Sequence, residues 1–430
     1  MRNYRLAMFA PLVFGVLLAG CAASSSGNEQ PVSSTAVSLA PIDYTSLRIA
    51  PPPDGGMYIG QYGWNPGDVD TFEAAIGRRT ALFSSEYPMA VDEDLDPVFL
   101  LDVAEQAWDE GKAVIVHAYG ASPMPIPIRK PGFTVDKLLQ GEYDGGLRQL
   151  AGQFREFGKP MFFFSTREPN GIGEEWLGGF GPGGDQDIWW AMENEQGVAE
   201  FDPSGYPNAS LYADLGDPTV SDGVERLIAA QRYYYDFFVR QEGLAFLTFD
   251  SMGWAAIPWQ DFAEEFEVRP GDANYRMIRT SFGFDYAYPG DEYVDWVSVT
   301  WYMMDRGGVR TSITDQLVAF ATVIAQVRAT APGKPIFIIE MGFPDGVNQD
   351  SAWAAEKVTA GLNALITQYP DVAGFAMWSQ IAGLDPMDAL VRPGTAQGEA
   401  FRELVDANPD RFSSCVYFSD GSRMPTCEKK

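Results

Sequence analysis

Eight short apolar runs punctuate the chain, at Met57–Tyr62, Thr80–Ser84, Ala113–His117, Pro160–Thr166, Leu244–Asp250, Trp296–Trp301, Pro335–Glu340 and Val372–Trp378. Several are apolar at nearly every position, as in Val114-Ile115-Val116 and Phe337-Ile338-Ile339. A strand with one wet face alternates apolar and polar residues, whereas a parallel strand buried on both faces reads as a continuous run. Between the runs the period becomes helical. Asp96–Gly111 keeps its apolar residues on one face and ends at Gly, as does Val135–Gly158. Asp222–Gly243 carries Leu227, Ile228 and Phe237 at helical spacing, while Ser312–Ala331 and Ser351–Tyr369 each open on a Ser suited to an N-cap. Eight strands alternating with helices predict an α/β fold, a (β/α)8 TIM barrel. The first two strands are the weakest of the set. An open doubly wound sheet is the competing arrangement, and no GxGxxG follows the first run to support it.

The connections are unequal. Pro169–Ser221 contains GIGEEWLGGFGPGGDQDIWW and has little regular period, and Ser251–Asp295 is also long. Both leave the C-terminal end of a predicted strand, the face on which barrels build their sites, and loops of this length form functional walls. Trp176, Trp189, Trp190, Trp254 and Trp259 lie in these loops. So many indoles outside core segments predict a carbohydrate cleft, with some of them packing the loops on themselves.

Composition narrows the chemistry. Hydrophobic residues make up 46% and charged residues 21% of the 430, a globular balance that excludes wholesale disorder. A formal charge of -29 repels phosphate backbones, so no nucleic-acid partner is expected. With three Cys and one His in the whole chain, no Cys–His metal centre is expected, and no cofactor is called for. Asp345–Asp350 is acidic but fails the EF-hand spacing.

The first twenty residues have Arg2 and Arg5 ahead of an apolar stretch from Leu6 to Ala19, too short to span a bilayer comfortably. The stretch ends in Leu18-Ala19-Gly20-Cys21, which resembles a bacterial lipobox. The resemblance implies an exported lipoprotein held at the cell envelope through a lipidated Cys21. The plainer alternative is an ordinary cleavage site. The expected organisation is therefore a signal peptide over 1–20, a Ser-rich tether over 21–40, a catalytic barrel over 41–412 and a C-terminal tail over 413–430. Cys415 and Cys427 form either a disulfide closing a short loop, as suits an exported protein, or two free thiols.

Two glutamates end apolar runs. Glu168 follows Met161–Arg167 and Glu340 closes Pro335–Ile339, on the fourth and seventh predicted strands. The C-terminal ends of those strands converge on one pocket. Glycoside hydrolysis needs such a pair: one acid protonates the leaving oxygen, while the other attacks the anomeric carbon or activates water. The plainer alternative is a strand-end carboxylate paired with a neighbouring cation, and Arg167 adjoins Glu168.

Tyr288-Pro-Gly-Asp-Glu-Tyr-Val-Asp-Trp296 resembles the segment leading into strand six of glycoside hydrolase family 26. Arg167-Glu168-Pro169-Asn170-Gly171 falls where that family has His-Glu-Met-Asn-Gly, and Lys334–Gly342 is similar to its strand-seven motif. The resemblance runs from about Tyr58 to Trp378. It implies a retaining β-glycosidase, β-mannanase-like, with Glu168 as general acid/base and Glu340 as nucleophile. It also implies Tyr302 as a donor to the nucleophile and His117 as a pocket residue. Trp378, ending the eighth strand, suits a sugar platform. Trp301, Trp176, Trp254 and Arg167 complete the substrate-binding candidates, with Asn170 and Asp250 weaker ones. Arg167 and Pro169 depart from the family pattern, and a guanidinium is a stronger, fixed-charge donor than the imidazole it replaces. A second reading, from another class, is a sugar-binding surface lipoprotein without turnover, in which Arg167 holds Glu168 ionised.

Overall fold

All eight predicted strands form, and they lie side by side in one parallel sheet. They are β1 (Met57–Tyr62), β2 (Leu82–Ser85), β3 (Ala113–His117), β4 (Met161–Phe164), β5 (Leu247–Asp250), β6 (Val297–Tyr302), β7 (Ile336–Gly342) and β8 (Val372–Met377). The computed structural model describes residues 43–62, 69–85, 101–117, 138, 140–164, 224–251, 253–258, 260–261, 264, 269–271, 283–304, 310–344, 350–378 and 391–428. Sheet order is β5-β4-β3-β2-β1-β8-β7-β6. The free edges then meet, because Asp250 bridges Trp296 in parallel, and Trp254–Ala255 pairs with Val299 and Thr300 of β6. An open doubly wound sheet is thereby excluded, and the architecture is a (β/α)8 barrel.

Continuous apolar runs are explained by burial on two sides. In β4, Phe163 faces outward against Phe154 and Phe238, with ring centroids at 6.2 and 5.2 Å. Its neighbour Phe162 faces inward, stacked on Phe337 at 5.4 Å and edge-on to Trp296 at 5.2 Å. The interior of the lower barrel is thus filled by aromatic rings from β4, β7 and the residue before β6, in the manner of layered barrel cores.

The helices between strands are α1 (Asp70–Ile76), α2 (Leu101–Asp109), α3 (Asp144–Phe157), α4 (Val224–Tyr235), α5 (Phe284–Ala287), α6 (Ile313–Thr330), α7 (Ser351–Thr367) and α8 (Ala396–Ala407). Ser312 caps α6 as expected, accepting from the Asp315 N–H. Ser351 is not the cap of α7. Asp350 is, and its carboxylate accepts from both Ala352 and Trp353 N–H groups, a double acceptance that a hydroxyl matches less well and that the helix dipole favours. The helix expected as one piece over Asp222–Gly243 ends in a π turn, Asp236–Gln241. Neither α1 nor α8 was among the expected helices.

The N-terminal end of the barrel is closed by backbone. Ile49–Ala50 pairs antiparallel with Tyr417–Phe418, and Phe412–Ser413 pairs with β1. The Ile49 N–H donates to Thr248 Oγ1 (2.7 Å), its carbonyl accepts from the Trp296 indole (3.2 Å), and Tyr58 donates to the Ala50 carbonyl (2.7 Å). Val416, Phe418 and Met424 are buried beneath the barrel. Cys415 and Cys427 are joined by a disulfide across a separation of 12 residues. A loop of that size restricts the unfolded chain enough that Cys427→Ser should lower unfolding free energy by about 3 kcal/mol. Denaturant titration of the oxidised and variant proteins measures this, and superimposable curves would show that the crosslink adds nothing.

Candidate active site

Glu340 owes its direction to an irregularity in β7. Phe337 points into the barrel, and Glu340 lies three positions further on. Strict alternation would turn Glu340 out towards the helices. Instead the register against β6 shifts: Val299 lies opposite Ile338, and Thr300 opposite Glu340. The extra residue, Ile339, forms a β-bulge that returns Glu340 to the interior. There its Oε2 accepts from the Tyr302 hydroxyl at 2.7 Å. Tyr302 faces inward because its neighbour Trp301 faces outward, stacked on Phe320 of α6 at 3.9 Å. Gly342 leaves room for the phenol: a Cβ there would stand 2.5 Å from Tyr302 Cδ1. The Glu-Met-Gly end of β7 therefore supplies both the carboxylate and the space for its donor. Glu340 is fully buried, and a buried carboxylate requires such a donor.

The opposite wall is built by β1, β2, β3 and β4. His117 ends β3 and is fully buried. Its Nε2 lies 2.8 Å from the Tyr62 hydroxyl and 2.9 Å from Ser84 Oγ. Its ring stacks on Phe164 at 5.4 Å. Trp378, the residue after β8, is half-buried with its ring 5.3 Å from that of Tyr62. A continuous run, Trp378–Tyr62–His117–Phe164, thus lines the upper barrel from β8 to β4. Tyr62 and Ser84 were not among the sequence candidates. The signal available was positional, since both sit at inward positions near the C-terminal ends of β1 and β2. Glu168 comes four positions after Phe164 and lies outside the described residues, as do Arg167, Asn170, Trp176, Trp189, Trp190, Trp259 and Cys21.

Two tryptophans expected at the substrate are placed elsewhere. Trp301 occupies the outward position of β6, between Phe320 and Phe343, because strand alternation gives the inward place to Tyr302. Trp254 is buried against Phe284 of α5, edge-on at 6.0 Å. Both indoles belong to the layer between sheet and helices.

Asp250, at the end of β5, is buried inside the barrel and hydrogen-bonded to Ser298 of β6. Ser298 N–H donates to Ser251 Oγ at 3.1 Å. Burial pushes the Asp250 carboxyl well above the usual carboxylate range, and the nearby Asp295 charge adds to this, against the opposing hydrogen bonds from Ser298 and the Ser251 backbone. Asp295 itself is ion-paired with Arg48 at 2.5 Å. Among the described residues no cluster of three or more His, Cys, Asp or Glu side chains is arranged to hold a metal ion.

No protein-family profile and no curated protein sequence matches the chain. Solved structures do. The catalytic domain of a Bacillus sp. JAMB-750 GH26 endo-beta-1,4-mannanase aligns with a TM-score of 0.52 at 15% identity, over 83% of this chain and 87% of that one. A GH26 beta-mannanase from Bacteroides ovatus, BoMan26A, aligns with a TM-score of 0.51 at 15% identity, over 84% and 90% of the two chains. The chain therefore has the fold of the family 26 glycoside hydrolases.

The raised Asp250 acidity has a signed consequence. An unfolded Asp titrates near pH 4, and the folded one titrates higher, so the folded state binds the extra proton. The stability that the neutral carboxyl contributes is complete below the unfolded value and is lost as pH rises through the folded value. Asp250→Asn cannot ionise. The stability of Asp250→Asn relative to wild type should therefore increase with pH above about 4, by at most about 1.4 kcal/mol per pH unit. Urea midpoints measured across pH check this, and a difference that stays flat through the neutral range would show that Asp250 is ionised in the fold.

Proposed function

We propose that the protein is a retaining β-glycoside hydrolase acting on a polysaccharide, with β-1,4-mannan or a related hemicellulose as the leading substrate. The observation that carries this reading is Glu340, turned inward by the β7 bulge onto Tyr302, at the C-terminal end of a barrel with the family 26 fold. A carboxylate held by a hydrogen bond near the C-terminal end of a barrel strand suits attack on an anomeric carbon.

The mechanism is double displacement. Glu340 attacks the anomeric carbon as Glu168 gives its proton to the departing glycosidic oxygen, and a covalent glycosyl-enzyme forms. Glu168, now a base, takes a proton from water, whose oxygen displaces Glu340 from the same carbon. Two inversions leave the configuration retained. Tyr302 gives its hydrogen bond to the Glu340 oxygen in the resting site. Trp378 offers a ring face to a pyranose C–H face, and His117 lies on the wall beneath the sugar. Arg167, Asn170 and Trp176 complete the substrate contacts. The chain requires no cofactor for these steps. A lipid on Cys21 would hold the enzyme at the bacterial cell envelope, with the Ser-rich tether between membrane and barrel.

Each assignment has its own test. Glu340→Ala should abolish turnover of activated aryl β-glycosides, and added azide should restore it with a glycosyl azide of inverted configuration as product. Normal turnover by this variant would remove Glu340 as nucleophile. Wild-type binding of polysaccharide without new reducing ends, unchanged in Glu340→Gln, would identify a sugar-binding protein instead. Glu168→Ala should retain far more activity on aryl glycosides with good leaving groups than on polymers, since only poor leaving groups need the proton. Equal loss on both substrates would argue against the acid role.

A further inference from the structure

The nucleophile strand is not the only irregular one. Asp250 of β5 lies opposite Trp296, and Trp254 opposite Val299, so four steps on one strand match three on the other. The register therefore shifts by one residue between Asp250 and Trp254, a second bulge at the seam where the barrel closes. Side chains repair the broken ladder there. Ser251 N–H still reaches the Trp296 carbonyl at 3.0 Å. The Ser298 N–H is taken by Ser251 Oγ instead of a backbone carbonyl. Ser298 Oγ then meets both Asp250 Oδ2 and the Ser251 carbonyl, the latter at 3.2 Å.

The two bulges touch. A Cβ on Gly253 would stand 2.8 Å from Ile339 Cγ2, 3.6 Å from Thr300 Cγ2 and 4.0 Å from Ser298 Oγ. Ile339 is the additional residue of the β7 bulge and immediately precedes Glu340. The bare backbone of the β5 bulge is therefore the surface against which the β7 bulge rests.

Proton counting favours one state of the knot. A serine hydroxyl carries one proton and can donate to the Ser251 carbonyl or to a carboxylate, but not to both. With Asp250 neutral, its carboxyl O–H donates to Ser298 Oγ, and Ser298 donates to the Ser251 carbonyl. Burial and the nearby Asp295 favour the same state, and Asp295 in turn is paired with Arg48. Asp250 Oδ1 is buried with no hydrogen-bond partner, a position a neutral carbonyl oxygen tolerates better than an ionised one.

The geometry points to Asp250, as a neutral carboxylic acid, being a positioning residue for Glu340, acting through Ser298, Ser251, Gly253 and Ile339. This deepens the glycosidase reading and rests on it only for the kinetic part of its test.

The test compares Asp250→Asn, Asp250→Ala and Gly253→Ala. Two quantities are read: kcat and KM on an aryl glycoside with a good leaving group, and the Tyr302 ring-carbon NMR signal beside the hydroxyl, in protein that has met no sugar. Tyr302→Phe assigns that signal. Asp250→Ala should lower kcat by about 100-fold with little change in KM, the penalty of a displaced attacking group. Asp250→Asn, a neutral isostere, should restore it. Gly253→Ala should lower kcat by pressing on Ile339. The Tyr302 signal should move in Asp250→Ala and Gly253→Ala and stay in place in Asp250→Asn. Asp250→Asn as impaired as Asp250→Ala would overturn the assignment, as would a folded Gly253→Ala with the wild-type Tyr302 signal. Should Asp250→Ala not fold, the other two variants decide. Should the wild type cleave no glycoside, the hydrolase reading fails, and the NMR signal alone decides the positioning role.

Discussion

The hydrogen bond between Tyr302 and Glu340 exists because β7 carries one residue more than the strand beside it. Side chains on a strand alternate with a period of two, and Phe337 and Glu340 are an odd number apart, yet both point into the barrel. Only a local change of register allows this. Phe337 is needed below, in the aromatic packing with Phe162 and Trp296. Glu340 is needed above, against Tyr302. The bulge lets one strand serve a dry core and a polar site within three positions.

The same tension shapes the rest of the interior. Low in the barrel, large rings from β4 and β7 fill the space, and backbone from Ile49–Ala50 seals the end. Higher up, polar groups replace them, and each is given partners from other strands: His117 with Tyr62 and Ser84, Glu340 with Tyr302, Asp250 with Ser298. Buried polar groups are tolerated only where such partners exist. Polar residues at inward positions near the C-terminal ends of strands therefore cost stability that the aromatic layer below must offset, a common arrangement for a barrel whose upper face is reserved for chemistry.

Much of this was legible from the chain alone. The continuous apolar runs located all eight strands because parallel strands have no wet face to interrupt them. The Glu at the end of β7 stood out because a charge closing such a run is rare. Trp254 and Trp301 were misplaced because an indole reads the same whether it faces solvent or the helix layer. For Trp301 the neighbour decided: Tyr302 took the inward position, leaving Trp301 to pack on Phe320. Asp350 rather than Ser351 caps α7 because both are good capping residues, and one step in the helix start distinguishes them.

Sequence by itself determined the alternation of strand and helix, the closed architecture it implies, and which acidic side chain would stand at the end of the seventh strand. Those are properties of local composition and period, and a single chain displays them. Tertiary structure decided the registers: the extra residue in β7, its counterpart after Asp250, and the contact between Gly253 and Ile339 that joins them. A register is a relation between two strands, fixed by the geometry of closing eight of them into one ring, and no segment records it in its own residues.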